Sequence, residues 1–177
     1  TGKMLNLRNL RNKKVGVLGL GKTGLSVVNV LEQAGALLTC WDDDKEKRVN
    51  LGVNGVTIED LKNKNLLREL DLLIVSPGIP HLYPKPHAVV SLAYELNIRV
   101  DNDIGLFFSS HVQEEYEAFG DPPKIIAITG SNGKSTATAL TNHVLSKFFS
   151  DVEMGGNIGK PVLELSPLKE GSIRIIE

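Results

Sequence analysis

Two glycine-rich loops, each set between an apolar run and a helical pattern, constrain this chain more than any other feature. The first, "GLGKTG" from Gly19 to Gly24, follows "KVGVL"; the second, "TGSNGKST" from Thr129 to Thr136, follows "KIIAI". A short valine- or isoleucine-rich run that stops on glycine is a buried strand running into a tight turn. Apolar residues at helical spacing after each turn predict a helix whose N-terminus faces the loop. Strand, glycine loop and helix, met twice, predict parallel α/β units, because the following strand must cross back over the sheet.

The intervening sequence fits that frame. "TGLSVVNVLEQAG" has helical spacing, with Leu25, Val28 and Leu31 on one face and Gly35 as the C-terminal cap. "ALLTCWD", "LDLLIVSPG" and "IRVDND" read as strands, and "HAVVSLAYELN" as a helix. Residues 1–112 are therefore predicted to form a Rossmann-like parallel-sheet domain. The texture then turns polar and acidic in "SSHVQEEYEAFGDPP". Its first part suits a helix, and 113–123 reads as a linker ending in two prolines. From 124 to 177 the pattern restarts as the beginning of a P-loop-type ATPase domain: strand "KIIAITG", helix "GKSTATALTNHVLSKFF" and strand "SIRIIE". So short a sheet needs further strands to bury itself, and this second unit is expected to be the start of a larger domain.

Composition narrows the classes. With 177 residues and 41% hydrophobic residues the chain can build a core, and its net charge of -1 argues against a nucleic-acid partner. Its one cysteine, Cys40, excludes an internal disulfide, fits a reducing compartment and reads as a small core residue. No apolar run reaches the ~18 residues of a membrane span, and the N-terminus lacks the apolar stretch of a signal peptide. A cytoplasmic protein without a membrane partner is expected; the oligomeric state stays open, with a monomer favoured. His81, His87, His111 and His143 show no metal-ligand spacing.

Gly19, Gly21 and Gly24 fit G-x-G-x-x-G between strand and helix. Glycines permit the turn and a close approach of backbone to ligand, and the helix N-terminus offers amides and partial positive charge to a diphosphate. Asp42, at the end of the second strand, stands where a nucleotide-binding acid is expected. NAD, FAD and nucleotide sugars all carry a diphosphate, so the motif leaves the ligand open, as it leaves open a turn needed only for packing. "SPGIP", Ser76 to Pro80, ends a predicted strand and so falls either on the ligand edge of the sheet or in a rigid turn.

In the second loop, Gly130, Ser131, Asn132 and Gly133 can wrap phosphate oxygens with backbone amides. Lys134 can reach the β- and γ-phosphates, Ser135 can ligate magnesium, and Thr136 continues the helix. The loop departs from G-x-x-x-x-G-K-[ST], since Ile128 stands five residues before Gly133. Glu177, at the end of a strand in the same sheet as the phosphate loop, is placed to hold magnesium, but by itself it reads rather as an ordinary strand-end acid. Asn157 in "MGGNIGKP" reads either as a ligand donor or as an asparagine tolerating a left-handed backbone.

Taken in order, "GLGKTGLS", "SPGIP", "DNDIGLF", "AITGSNGKST" and "GGNIGKP" resemble the Mur ligase family, in its D-glutamate-adding branch of peptidoglycan synthesis. The resemblance runs from about Lys14 to Glu177. It implies an ATP-dependent acid–amino-acid ligase that joins D-glutamate to UDP-N-acetylmuramoyl-L-alanine, with ATP and Mg2+ required. Carried onto these residues, it implies that Gly19, Gly21, Lys22, Thr23 and Gly24 contact the UDP diphosphate and Asp42 the uracil end. Ser76, Pro77 and Gly78 would line the same site, and Asn157 would face the muramoyl-alanine portion. Gly130 to Thr136 would hold ATP, with Lys134 as the catalytic cation and Ser135 and Glu177 as magnesium ligands. Two positions depart from the family: Gly105 where an acid is usual, and Asp43 where a threonine is frequent. The resemblance further implies that this chain is the N-terminal part of a longer enzyme and is inactive alone. The other readings are an NAD-dependent dehydrogenase domain and a non-catalytic nucleotide-binding module. The second loop separates them, because a dehydrogenase has no need of it.

Overall fold

The computed structural model describes residues 7–49, 51, 55–111 and 123–177. They fall into two compact units, one ending at Leu106 and one beginning at Phe107. Of the linker expected over 113–123, only Pro123 is among the described residues.

In the first unit β1 (Lys14–Leu18), α1 (Lys22–Gln33) and β2 (Leu37–Trp41) lead to α2 (Lys45–Val49) and β3 (Val56–Ile58). Then come α3 (Lys64–Arg68), β4 (Leu72–Val75), α4 (Ala88–Glu95), β5 (Val100–Asp101) and α5 (Asp103–His111), whose length includes the division between units. The sheet order is β3-β2-β1-β4-β5 and every pairing is parallel. Strand order reverses between β1 and β4, which opens a crevice at the C-terminal ends of these strands.

Burial follows from apolar runs that face helices on both sides. All four residues of β4 and the last four of β1 are buried. Leu18, Leu73 and Val75 pack with Leu61, Leu67, Leu70 and the α4 residues Val89, Val90 and Ala93. Strand alternation sends Val15, Val17, Leu72 and Ile74 to the other face. Each such side chain, fully buried, stabilises the fold by about 1.5–3 kcal/mol. On α1 the buried residues are Gly24, Ser26, Val27, Val28 and Leu31, while Leu25 is 38% exposed. The face predicted through Leu25 is thus corrected. Gly24 lies pressed beneath the Gly19 carbonyl, on the side of the helix that buries positions 27, 28 and 31. Gly35, at φ 80°, ends the helix as expected, its amide donating to Glu32 O.

The strand read through "IRVDND" is only two residues long. Asn102 stops it by accepting the Gly105 amide on Oδ1 at 2.8 Å, the bond that opens α5. The sequence pattern did not indicate α2, β3 or α3, nor the strand Val152–Gly155 of the second unit.

The second unit holds β6 (Lys124–Ala127), α6 (Lys134–Leu145), β7 (Val152–Gly155) and β8 (Ile173–Ile176). Its order is β6-β8-β7, again parallel, so β8 is central and all four of its residues are buried. One of them is Arg174, 0% exposed. Its guanidinium lies 3.0 Å from Asp151 Oδ1 and 3.6 Å from Glu153 Oε2, and donates to the Ser166 carbonyl. Among the described residues no helix is long and apolar enough to cross a membrane.

Candidate functional site

The crevice of the first unit is a cleft of about 430 Å³. Gly19, Gly21, Lys22, Thr23 and Gly24 line it from the glycine loop, Asp42 and Asp43 from the end of β2, and Ser76, Pro77 and Gly78 from the end of β4. Ile79 and Pro80 of the same turn join them, as do Leu18, Lys47 and His87, which sequence reasoning did not place there.

Short backbone bonds hold the loop. Gly19, at φ 94°, donates its amide to Trp41 O at 2.8 Å, and its own carbonyl accepts Ser76 Oγ–H at 2.9 Å. Ser76 N–H also donates to Leu18 O, so "SPGIP" knits β4 to the glycine loop. Gly21 is the N-cap of α1 and no side chain caps that end. Amides at the start of such a helix suit phosphate oxygens.

The two aspartates after β2 behave differently. Asp42 is 8% exposed: its Oδ2 accepts the Leu20 amide at 2.7 Å and its Oδ1 the Asp44 amide at 2.9 Å, with Lys47 Nζ 3.8 Å from Oδ2. Asp42 therefore braces the glycine loop against β2. Asp43 is more open, and its carboxylate gathers three side-chain donors. His87 Nε2 lies 2.9 Å from Oδ2, while Trp41 Nε1–H and Lys62 Nζ donate to Oδ1 at 3.0 and 3.2 Å. These bonds, that of His87 first, hold the Asp43 carboxyl well below the usual carboxylate range. His87 is also the N-cap of α4, its Nδ1 accepting the Val89 amide at 3.2 Å. A polar residue immediately before the helical run "AVVSLAYE" was the signal available in the sequence.

In the second unit Gly133, left-handed at φ 74°, is the N-cap of α6, and Lys134, Ser135 and Thr136 open the helix. Gly130, Ser131 and Asn132 complete the loop, and Lys134 Nζ donates to the Gly130 carbonyl at 2.8 Å. Glu177 follows β8, where its Oε1 accepts Ser135 Oγ–H at 3.1 Å and Asn157 Nδ2–H at 3.2 Å. Glu177 Oε2 is buried without a hydrogen-bond partner. One hydroxyl, one such carboxylate oxygen and a phosphate loop together fit Mg2+, which takes few protein ligands and completes its shell with phosphate and water. Among the described residues no group of three or more His, Cys, Asp or Glu could hold a metal, and this site requires none. Asn157 thus belongs with Glu177 and Ser135 and is not among the residues lining the first cleft.

Gly105 has a steric reason in this fold. A Cβ at Gly105 would overlap the Asp101 carboxylate, which binds the Asn102 amide and Arg99. Cys40 is buried in β2, and burial pushes its thiol up to about 12, leaving it no thiolate at neutral pH.

The UDP-N-acetylmuramoylalanine--D-glutamate ligase of Cereibacter sphaeroides is 44% identical over 174 residues, 98% of this chain and 37% of that protein. The ligase of the same name from Ruegeria pomeroyi is 45% identical over the same shares. The chain therefore spans about 37% of the length of these relatives. Among solved structures, shikimate dehydrogenase from Aquifex aeolicus aligns at a TM-score of 0.45 and 14% identity, over 57% of this chain and 46% of that one, a likeness too low to carry an argument. Residues 13–98, which hold the glycine loop, the two aspartates after β2 and the Ser76–Gly78 turn, match the family described as Mur ligase MurD-like, N-terminal domain, and this region of the chain belongs to that family.

Proposed function

We propose that this chain forms the UDP-substrate site and the opening of the ATP site of an ATP-dependent ligase. That ligase would add D-glutamate to UDP-N-acetylmuramoyl-L-alanine in peptidoglycan synthesis, in the cytoplasm. The observation that carries the reading is the second cradle. A left-handed Gly133 heads α6, and Ser135 lies within hydrogen-bond distance of a carboxylate whose other oxygen is buried and unpartnered. A dinucleotide-binding domain alone has no use for that arrangement.

In this reading the α1 N-terminus holds the UDP diphosphate and Ser76 keeps the loop in register. Ser135 and Glu177 would hold Mg2+, which supplies charge neutralisation at the phosphate oxygens. Lys134, released from the Gly130 carbonyl, places its ammonium against charge developing on the transferring phosphoryl group. The substrate carboxylate becomes an acyl phosphate, and the D-glutamate amine displaces phosphate to form the amide. Asn157 braces Glu177 and fixes the oxygen that faces Ser135. Residues 1–177 alone would not complete the cycle, because the relatives devote most of their length to sequence outside this region.

Lys134→Ala in the whole protein tests this. D-glutamate-dependent phosphate release should fall by about 10²–10³ at saturating ATP, while UDP binding to the first unit is retained. Near-normal turnover would remove the second cradle from the mechanism, and uptake of NAD with no uridine nucleotide bound would remove the first.

A further inference from the structure

We propose that Asn132 is a self-modifying site in the phosphate loop of the second unit. Its side-chain amide closes onto the Gly133 nitrogen and then opens to aspartate or isoaspartate, which sets a carboxylate beside Lys134. The site stands on Asn132 and Gly133 themselves, while its consequence for nucleotide binding rests on the ATP reading above.

Asparagine followed by glycine is the pair in which this ring closes most readily, because no Cβ on the second residue crowds the attacking nitrogen. The chain holds two such pairs, Asn54–Gly55 and Asn132–Gly133. Asn54 lies outside the described residues. Asn132 is exposed, and no described residue hydrogen-bonds its side-chain amide or the Gly133 N–H. A Cβ built on Gly133 meets nothing within 4 Å, so the space into which the ring closes is open. Gly133 is also the N-cap of α6, where the positive end of the helix favours an anionic nitrogen and the oxyanion that forms at Asn132 Cγ. The orphan amide that suits a phosphate oxygen is thus free to attack its neighbour.

The step balances without a cofactor. The Gly133 nitrogen forms a bond to Asn132 Cγ, the Cγ–Nδ2 bond breaks, and the Gly133 proton leaves with Nδ2 as ammonia. Water then opens the cyclic imide. Cleavage at Cγ leaves aspartate; cleavage at the main-chain carbonyl carbon leaves isoaspartate, with one more methylene in the backbone. Either product replaces a neutral amide with a carboxylate. Asn132 and Lys134 flank Gly130: a Cβ there would lie 3.8 Å from Asn132 O and 3.9 Å from Lys134 Cγ. The new charge therefore arises next to the ammonium that donates to the Gly130 carbonyl. It attracts Lys134 and repels phosphate oxygens, and both changes weaken a phosphate cradle. Bound ATP works against the reaction, since an amide engaged with phosphate cannot attack. An idle loop ages and an occupied one persists.

Peptide mass spectrometry on the chain, aged at mildly alkaline pH, tests the site. The same chain unfolded in urea sets the reference rate for both Asn–Gly pairs. In the folded chain Asn132 should convert within about tenfold of that reference rate, giving aspartate and isoaspartate together. Conversion that had to wait for global unfolding would run about a thousandfold slower or more, and any slowing beyond about tenfold overturns the proposal. Aspartate without isoaspartate would mean direct hydrolysis and overturns the ring step. Asn132→Asp in the whole protein should weaken MgATP binding by about tenfold, and aged wild-type protein, separated by its extra negative charge, should match it. Unchanged affinity in the aged protein overturns the stated consequence. Saturating MgATP should slow conversion at Asn132 in the whole protein by at least about fivefold and leave Asn54 unaffected. Equal rates at Asn132 with and without MgATP would instead overturn the ATP reading beneath it.

Discussion

Alanine at Gly24 is expected to break the first cradle from within the fold, whereas alanine at Gly21 should leave the fold intact and obstruct the ligand. A Cβ at Gly24 would overlap the Gly19 carbonyl oxygen and sit 2.8 Å from the Gly19 carbonyl carbon and 2.9 Å from Ser76 Oγ. Two of these three atoms are backbone and cannot swing away. Forced overpacking costs about 1–3 kcal/mol. Displacing the Ser76 Oγ–Gly19 O bond adds about 1 kcal/mol. Alanine's helix propensity returns about 0.8–1 kcal/mol, so the net loss is roughly 1–3 kcal/mol. A Cβ at Gly21 meets nothing within 4 Å, and the backbone there has an ordinary φ of -71°. Its folding cost should stay under about 1 kcal/mol, while UDP affinity drops by roughly tenfold as the added methyl holds the diphosphate off the amides. Urea denaturation followed through Trp41, the one tryptophan of the chain, reads the first unit specifically. Gly24→Ala should lower the midpoint by roughly 1 M, and Gly21→Ala should leave it unmoved. If Gly24→Ala unfolds with the wild-type chain and only its UDP affinity falls, the steric argument fails.

Two further outcomes follow from buried charge. Arg174→Met strands Asp151 and Glu153 beside β8 and should destabilise the second unit by about 3 kcal/mol, seen as lost hydrogen-exchange protection of β8 amides; unchanged protection would refute it. Asp103, 4% exposed and with Oδ1 unpartnered, has its carboxyl pushed up by burial, so the folded state binds its proton more tightly than the unfolded chain. Its contribution favours folding below the ordinary carboxylate range and is lost as pH rises through the raised value. Asp103→Asn should therefore melt higher than wild type at pH 7, with the gap closing toward pH 4; a gap that widens on acidification would contradict this.

The sequence revealed what local patterning controls. β1 and β4 were legible because strands buried on both faces are continuous apolar runs, and the glycine loops because phosphate cradles need glycine at fixed offsets. Helix α3 and strand β7 were not. Each is four or five residues long, and β7 carries Glu153, a half-buried acid whose partners Lys160 and Arg174 lie outside the strand. In the site, Ser76 and Lys134 could be read from their motifs. The opposite fates of Asp42 and Asp43 could not, since an amide of the glycine loop captures one and a histidine 44 positions away engages the other. Nor could Asn157 be paired with Glu177, a contact that exists only once β7 and β8 lie side by side.

The central place of β8 also orders events during synthesis. β6 and β7 have no ladder with each other; each pairs with β8, which leaves the ribosome last of the three. Until Ile176 has emerged, the strand feeding the phosphate loop lacks the one neighbour it has among the described residues, and the amides that face β8 stay with water. The apolar residues Ile125 and Ile126 then wait, unpaired, through the translation of α6 and β7. A nascent chain stalled anywhere in that interval presents an open strand edge beside an incomplete nucleotide loop, the form in which such segments are most prone to pair with other chains.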